Sequence, residues 1–140
     1  MNRQDLIDQL TKHEGVELMP YKDTEGLLTI GIGRCLDRIG ISQDEAEYML
    51  ANDINNTQRA LFEACPWMED LDPVRQYAFV NMAFNIGVAG LLKFNNTLSY
   101  AQQGRWEECA FEALDSKWAR QVGKRSAEIA EQLRTGVYAP

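Results

Sequence analysis

Glu14, Glu17, Asp23 and Glu25 crowd one short stretch of the chain, and a single threonine, Thr29, stands in the apolar run that follows, Leu27 to Gly33. Carboxylates so placed can do proton-transfer chemistry. Other chemistries are excluded. With one histidine, His13, and no paired Ser/His/Asp order, a hydrolase triad is not expected. The cysteines at 35, 65 and 109 form no CxxC pair, so a structural zinc cluster is not expected and free thiols are. The Gly31-Ile32-Gly33 run lacks the lysine and the following helix of a phosphate loop. Glu14 falls where a helix should end, and the unpaired carbonyls there disfavour an ionised carboxyl, which suits a general acid. Asp23 falls in a turn near free amides and should stay ionised as a base. Two carboxyls in unequal settings on either side of a cleft are what glycosidic bond cleavage requires. Glu17 and Glu25 read as solvated surface, and Thr29 by itself reads as an ordinary strand residue.

The elements that must position these groups follow from the hydrophobic pattern. Leu6, Ile7 and Leu10 at helical spacing predict a helix over Arg3 to Glu14, with Gly15 placed to end it. The period then changes, and Leu18 to Tyr21 and Leu27 to Ile32 read as short strands around an Asp23-Thr24-Glu25-Gly26 turn. In the second strand Leu27, Thr29, Gly31 and Gly33 share a face that is nearly bare of side chains beyond Thr29, so a ligand can be expected to approach the backbone there. Ser42-Gln43-Asp44-Glu45 is a capping box that starts a helix of about 22 residues, about 33 Å long, ending at the Cys65-Pro66 break. Asp72-Pro73 starts the next one. From Val74 to Ile86 this helix is apolar on most sides, the mark of a buried element, and Gly87 closes it. Short helices are expected around Gly90 to Leu92, Asn96 to Gln103, Arg105 to Leu114 and Lys124 to Arg134. Their core should gather Phe79, Met82, Phe84, Phe94, Leu98, Trp106 and Trp118.

The fold class is therefore α+β, mostly α. A small hairpin-containing N-terminal lobe (about 13–41) leads into a long connecting helix (about 43–64) and an all-helical C-terminal lobe (about 66–140), on which the helix 3–14 should pack. At 140 residues, with 45% hydrophobic and 25% charged content, the chain is long enough for one domain with a real core. A net charge of -7 argues against a nucleic-acid protein. The charge is uneven: residues 37 to 72 carry nine acids against two bases. Residues 117 to 136 carry Lys117, Arg120, Lys124, Arg125 and Arg134 against two glutamates, so that end can face an anionic ligand. No stretch has the length of a membrane-spanning helix, and the polar start MNRQDLIDQL builds no secretory signal. The expected location is a cytoplasm.

Glu14-Gly15, then Tyr21-Lys22-Asp23-Thr24-Glu25-Gly26, then Thr29-Ile30-Gly31-Ile32-Gly33 closely resembles the phage lysozyme (endolysin) family, whose signature is Glu, eight residues, Asp, five residues, Thr. The resemblance extends through Asp72-Pro73-Val74-Arg75, Val80-Asn81-Met82, Gly87, Phe94, Arg105-Trp106, Ser116-Lys117-Trp118 and Leu133-Arg134-Thr135-Gly136, nearly the whole chain. It implies a lysozyme-like fold and a monomeric, cofactor-free muramidase. Such an enzyme cuts the β-1,4 bond between N-acetylmuramic acid and N-acetylglucosamine in peptidoglycan glycan strands, with inversion. Glu14 would protonate the leaving oxygen, and Asp23 and Thr29 would hold the attacking water. The resemblance gives wall-contact roles to Cys35, Phe84, Thr97 and Glu112, and support of the acid to Asn81 and Arg125. It implies no metal and no membrane insertion. The product would wait in the host cytoplasm until a holin-made lesion admits it to the periplasm and wall. A lytic transglycosylase, or a non-catalytic wall-binding protein of the same fold, are the alternatives.

Departures from the family pattern carry their own expectations. Arg34 stands where the family often has histidine and cannot switch charge near neutrality; Asp53 on the long helix is its expected partner. Cys35 and Glu112 differ in type from the residues usual at their positions, and Glu112 adds an acid. Only eight residues separate Gly33 from Ser42, a shortened N-terminal lobe. The acidic surface should slow encounter with anionic walls at low salt.

Overall fold

A computed structural model describes residues 2–138 and resolves into two compact units, one through Met49 and one from Leu50 onward. The division falls inside a single helix. In the first unit, α1 (Arg3–Glu14) begins at Asn2, whose side chain accepts from the Gln4 amide at 2.9 Å. It ends at Gly15, where φ of 73° lets the chain leave while the glycine N–H still donates to the Thr11 carbonyl. A three-stranded antiparallel sheet follows, β1 (Glu17–Lys22), β2 (Leu28–Gly31) and β3 (Arg34–Cys35), in the order β1-β2-β3. Tyr21 faces Thr29 across one ladder and Cys35 faces Thr29 across the other, with an irregularity in β1 between Glu17 and Tyr21.

The third strand was not expected, and it changes the setting of Thr29. Gly31 and Gly33 both have positive φ (72° and 71°), so the chain reverses there instead of extending to Ile32, and β3 folds back on β2. Cross-strand partners share a sheet face, which puts Tyr21 and Cys35 on either side of Thr29. The threonine is consequently 4% exposed, against the bare face expected.

Arg34 corrects a second expectation. Its partner is Glu45, not Asp53: the guanidinium donates through both terminal nitrogens to the two carboxylate oxygens at 2.8 and 2.7 Å, and also to the Gly40 carbonyl at 3.0 Å. The capping box is present as expected, with the Glu45 amide donating to Ser42 Oγ and the Ser42 amide donating to Glu45 Oε1. A carboxylate has lone pairs enough for both duties. Arg34, then the Ser42 amide and hydroxyl, hold the Glu45 carboxyl down at about 2, below its ordinary 4.5. The contribution of this pair is thus present above about pH 4.5 and lost as the pH falls toward 2. Glu45→Gln should lower the urea midpoint at pH 7, and the gap to wild type should close between pH 4.5 and 2; urea titrations across that range check it.

α2 (Gln43–Ala64) has the expected 22 residues. In the second unit it is followed by a short 3-10 helix (Pro66–Asp70) and by α3 (Pro73–Ile86), whose cap Asp72 accepts from the Arg75 amide at 3.1 Å. Then come α4 (Val88–Leu91), α5 (Asn95–Gln102), α6 (Trp106–Leu114), α7 (Lys117–Val122) and α8 (Lys124–Thr135). The 3-10 helix and α7 were not expected. Among the described residues no helix is long and apolar enough to cross a membrane.

The core of this unit is built from Leu61, Met68, Phe79, Met82, Leu91, Ile129 and Leu133, with α8 packed on α3 and α6. Trp118 meets Phe94 edge to face and donates its indole N–H to Asn85 at 2.8 Å. Leu98 and Trp106 pack on the core as expected, but Phe84 does not belong to it, being 43% exposed. Cys65 and Cys109 are buried free thiols; burial pushes Cys65 up and Cys109 up to about 12, so both pack as small neutral groups.

Arg75 ties three helices together. Its Nε donates to the Leu133 carbonyl at 2.7 Å and one terminal nitrogen to the Arg134 carbonyl at 3.0 Å, closing the end of α8, while its plane lies 4.3 Å over Trp106 of α6. Arg75→Ala should cost about 2–4 kcal/mol, since both carbonyls lose a charged donor and the ring loses its cation. Equilibrium urea unfolding measures it.

Candidate active site

In the first unit, α1 delivers Glu14 as its last residue, and Gly15 turns the chain into β1 immediately after it. The Glu14 carboxyl rests against the backbone of Gly33, in the turn between β2 and β3. Asp23 occupies the turn between β1 and β2. Its Oδ1 accepts from the amides of Glu25 at 2.8 Å and Leu27 at 2.9 Å, while its own N–H donates to the Leu27 carbonyl and its carbonyl accepts from Gly26. Four hydrogen bonds thus fix this one residue. Among the described residues Oδ2 accepts from none, so one carboxylate oxygen is free for a ligand or water.

Thr29 sits one strand position into β2, its hydroxyl donating to the Leu27 carbonyl at 3.1 Å. The hydroxyl proton is committed, so the oxygen is left to accept. Asp23 and Thr29 are therefore brought together through Leu27: its amide meets the one side chain and its carbonyl the other. Cys35, half-buried, lies directly across the ladder from Thr29. Asp37 went unremarked in the sequence, yet its Oδ2 accepts from the Leu28 amide at 2.7 Å and helps hold β2 in place. Its spacing from Leu28 carried no signal, because the contact exists only once β3 folds back.

The second unit carries the other expected residues in two separate hollows. One, of about 560 Å³, is lined by Tyr77, Asn81, Phe84 and Arg125 together with Leu50 and Ile54 of α2. Within it Arg125 donates to Asn81 Oδ1 through Nε at 3.1 Å and through a terminal nitrogen at 2.7 Å, so the two residues expected to act together are paired. The other, of about 410 Å³, contains Thr97 and Glu112 with Lys93, Asp115, Lys117 and Trp118. Phe84 and the Thr97–Glu112 pair are thus not gathered into one hollow. The exposed ring of Phe84 is free to stack on a ligand. Among the described residues no three His, Cys, Asp or Glu side chains cluster as a metal site would require.

Comparison with known proteins supplies the family. The family model for phage lysozyme matches residues 11–134. The chain is 30% identical to probable T4-type lysozyme 1 of Dictyostelium discoideum, over 92% of this chain and 93% of that protein. It is 31% identical to probable T4-type lysozyme 2 of the same organism, over 94% of both. It is also 29% identical to the pre-baseplate central spike protein Gp5 of Enterobacteria phage T4, over 94% of this chain but 28% of that longer protein. A match that runs from the end of α1 to the end of α8, with the Glu, Asp and Thr spacing inside it, makes the chain a member of the phage lysozyme family, enzymes of the muramidase class of glycoside hydrolases.

Proposed function

We propose that this muramidase hydrolyses the β-1,4 bond between N-acetylmuramic acid and N-acetylglucosamine with inversion at the anomeric carbon, and that it serves host cell lysis. Glu14 donates the proton that the leaving oxygen takes as the glycosidic bond breaks. Asp23 removes a proton from the attacking water and, as a fixed anion, favours the positive charge that develops on the sugar ring. Thr29 accepts a hydrogen bond from the same water. The observation that carries this reading is the division of labour within the Asp23 carboxylate: Oδ1 is spent on two amides and Oδ2 is free. A group held so firmly at one oxygen is suited to orient a water with the other.

Product chemistry tests it. Early-time NMR of digested peptidoglycan should show the α anomer at the new reducing end. A β anomer would mean a covalent intermediate and a nucleophilic Asp23, and a 1,6-anhydro end would make the enzyme a transglycosylase. For the biological role, we place the protein in the host cytoplasm until a holin-made lesion releases it to the wall. Produced in a Gram-negative cell, it should clear the culture only when a holin is co-produced or the inner membrane is breached. The description of the matched family, phage lysozyme, supports this assignment.

A further inference from the structure

Gly33 has a Cα hydrogen where any other residue would place a carbon inside the catalytic acid. An ideal Cβ built on Gly33 falls 2.7 Å from Oε2 of Glu14, 2.8 Å from its Cδ and 3.0 Å from its Cγ. All three distances lie well inside carbon–oxygen and carbon–carbon contact. The three nearest atoms it would meet all belong to one flexible side chain on α1. The fold could therefore absorb the extra carbon by swinging the Glu14 side chain aside. Gly31, two residues earlier in the same turn, shares the left-handed backbone (φ 72° against 71°), yet a Cβ there meets nothing within 4 Å. The two glycines thus separate backbone demand from space for the acid.

We propose that Gly33 is a positioning residue for Glu14: its bare Cα is the surface against which the acid's carboxyl is seated, and any side chain there moves the proton donor off the glycosidic oxygen. This rests on the assignment of Glu14 as the acid. A displacement of about 1 Å in a reacting group costs about 100-fold in rate. The effect should fall on turnover and not on glycan binding, because Gly33 itself offers nothing to the substrate but backbone.

The test compares Gly33→Ala with Gly31→Ala on soluble peptidoglycan fragments, at a temperature where circular dichroism shows both folded. Both substitutions force alanine into positive φ and should lower the melting temperature alike. Gly33→Ala should lose about 100-fold in kcat with KM within about threefold of wild type, while Gly31→Ala keeps kcat within about threefold. Glu14→Asp supplies the second arm. The shorter side chain withdraws from the added methyl, so the penalty of Gly33→Ala should shrink to about tenfold or less in that background. Equal kcat for the two alanine variants, or penalties that simply multiply in the Glu14→Asp background, would overturn the proposal. A fully active Glu14→Gln would instead remove the assignment of the acid on which it stands.

Discussion

Glu14→Gln should bind peptidoglycan as the wild type does and clear outer-membrane-permeabilised Gram-negative cells about 10³-fold more slowly. The amide has the shape of the carboxyl and keeps the contact with Gly33, but it has no proton to give to the leaving oxygen. The site is exposed, at the end of α1, and no side-chain hydrogen bond of Glu14 is lost among the described residues. Melting temperature should therefore stay within a degree or two of wild type, since exposed isosteric changes cost about 0.5 kcal/mol or less. The prediction is specific because the same unit offers other acids. Glu25 is engaged by Arg38 at 3.0 Å, and Glu17 starts β1 opposite Gly31, so neither shares the seat that Glu14 has. Turbidity loss measured side by side with wild type decides it, and full activity in the variant would move the acid elsewhere.

Much of this arrangement was legible because helix ends are written in short-range chemistry. Asp72-Pro73, Ser42 with Glu45, and the glycines at 15 and 87 each mark a boundary through a contact that spans only a few residues, and each boundary stands where it was expected. Failures came where long-range contacts decide. The alternation reads as one uninterrupted short strand over Leu27 to Ile32, but two positive-φ glycines turn it into a hairpin, and the returning strand flanks Thr29. β3 has two residues and α7 has six, too few to show a period, although Ser116 and Gly123 flank α7 as cap and stop. Phe84 looked like core because α3 is apolar all round, a pattern that cannot say which face is left open. Arg34 pairs with Glu45 and not with the expected Asp53, and that same carboxylate also caps α2. Spacing along the chain does not show that one carboxylate serves two partners. Glu14, Asp23 and Thr29, the proposed catalytic residues, are separated from their neighbours only weakly by environment, and chiefly by the family spacing.

Asp23→Asn should cost about 10²–10³-fold in kcat and leave the hairpin intact, because the amide oxygen can replace Oδ1 as acceptor for the Glu25 and Leu27 N–H groups. What disappears is the charge and the base at Oδ2. Asp23→Ala removes the acceptor as well, and the turn should lose about 1–2 kcal/mol on top of the same catalytic deficit. The pair therefore divides the residue's two duties, and chemical unfolding beside initial-rate measurement reads both. Matching stability losses in the two variants would mean that the turn depends on charge and not on acceptor geometry. The size of the kcat loss bears on mechanism too. A residue that only orients and deprotonates water leaves attack slower but possible, and the residual product should still be the α anomer. If Asp23 were a nucleophile, no comparable route would survive its conversion to asparagine, and the wild-type product would be β. The two outcomes differ in both rate and stereochemistry, so one set of variants and one spectrum separate them.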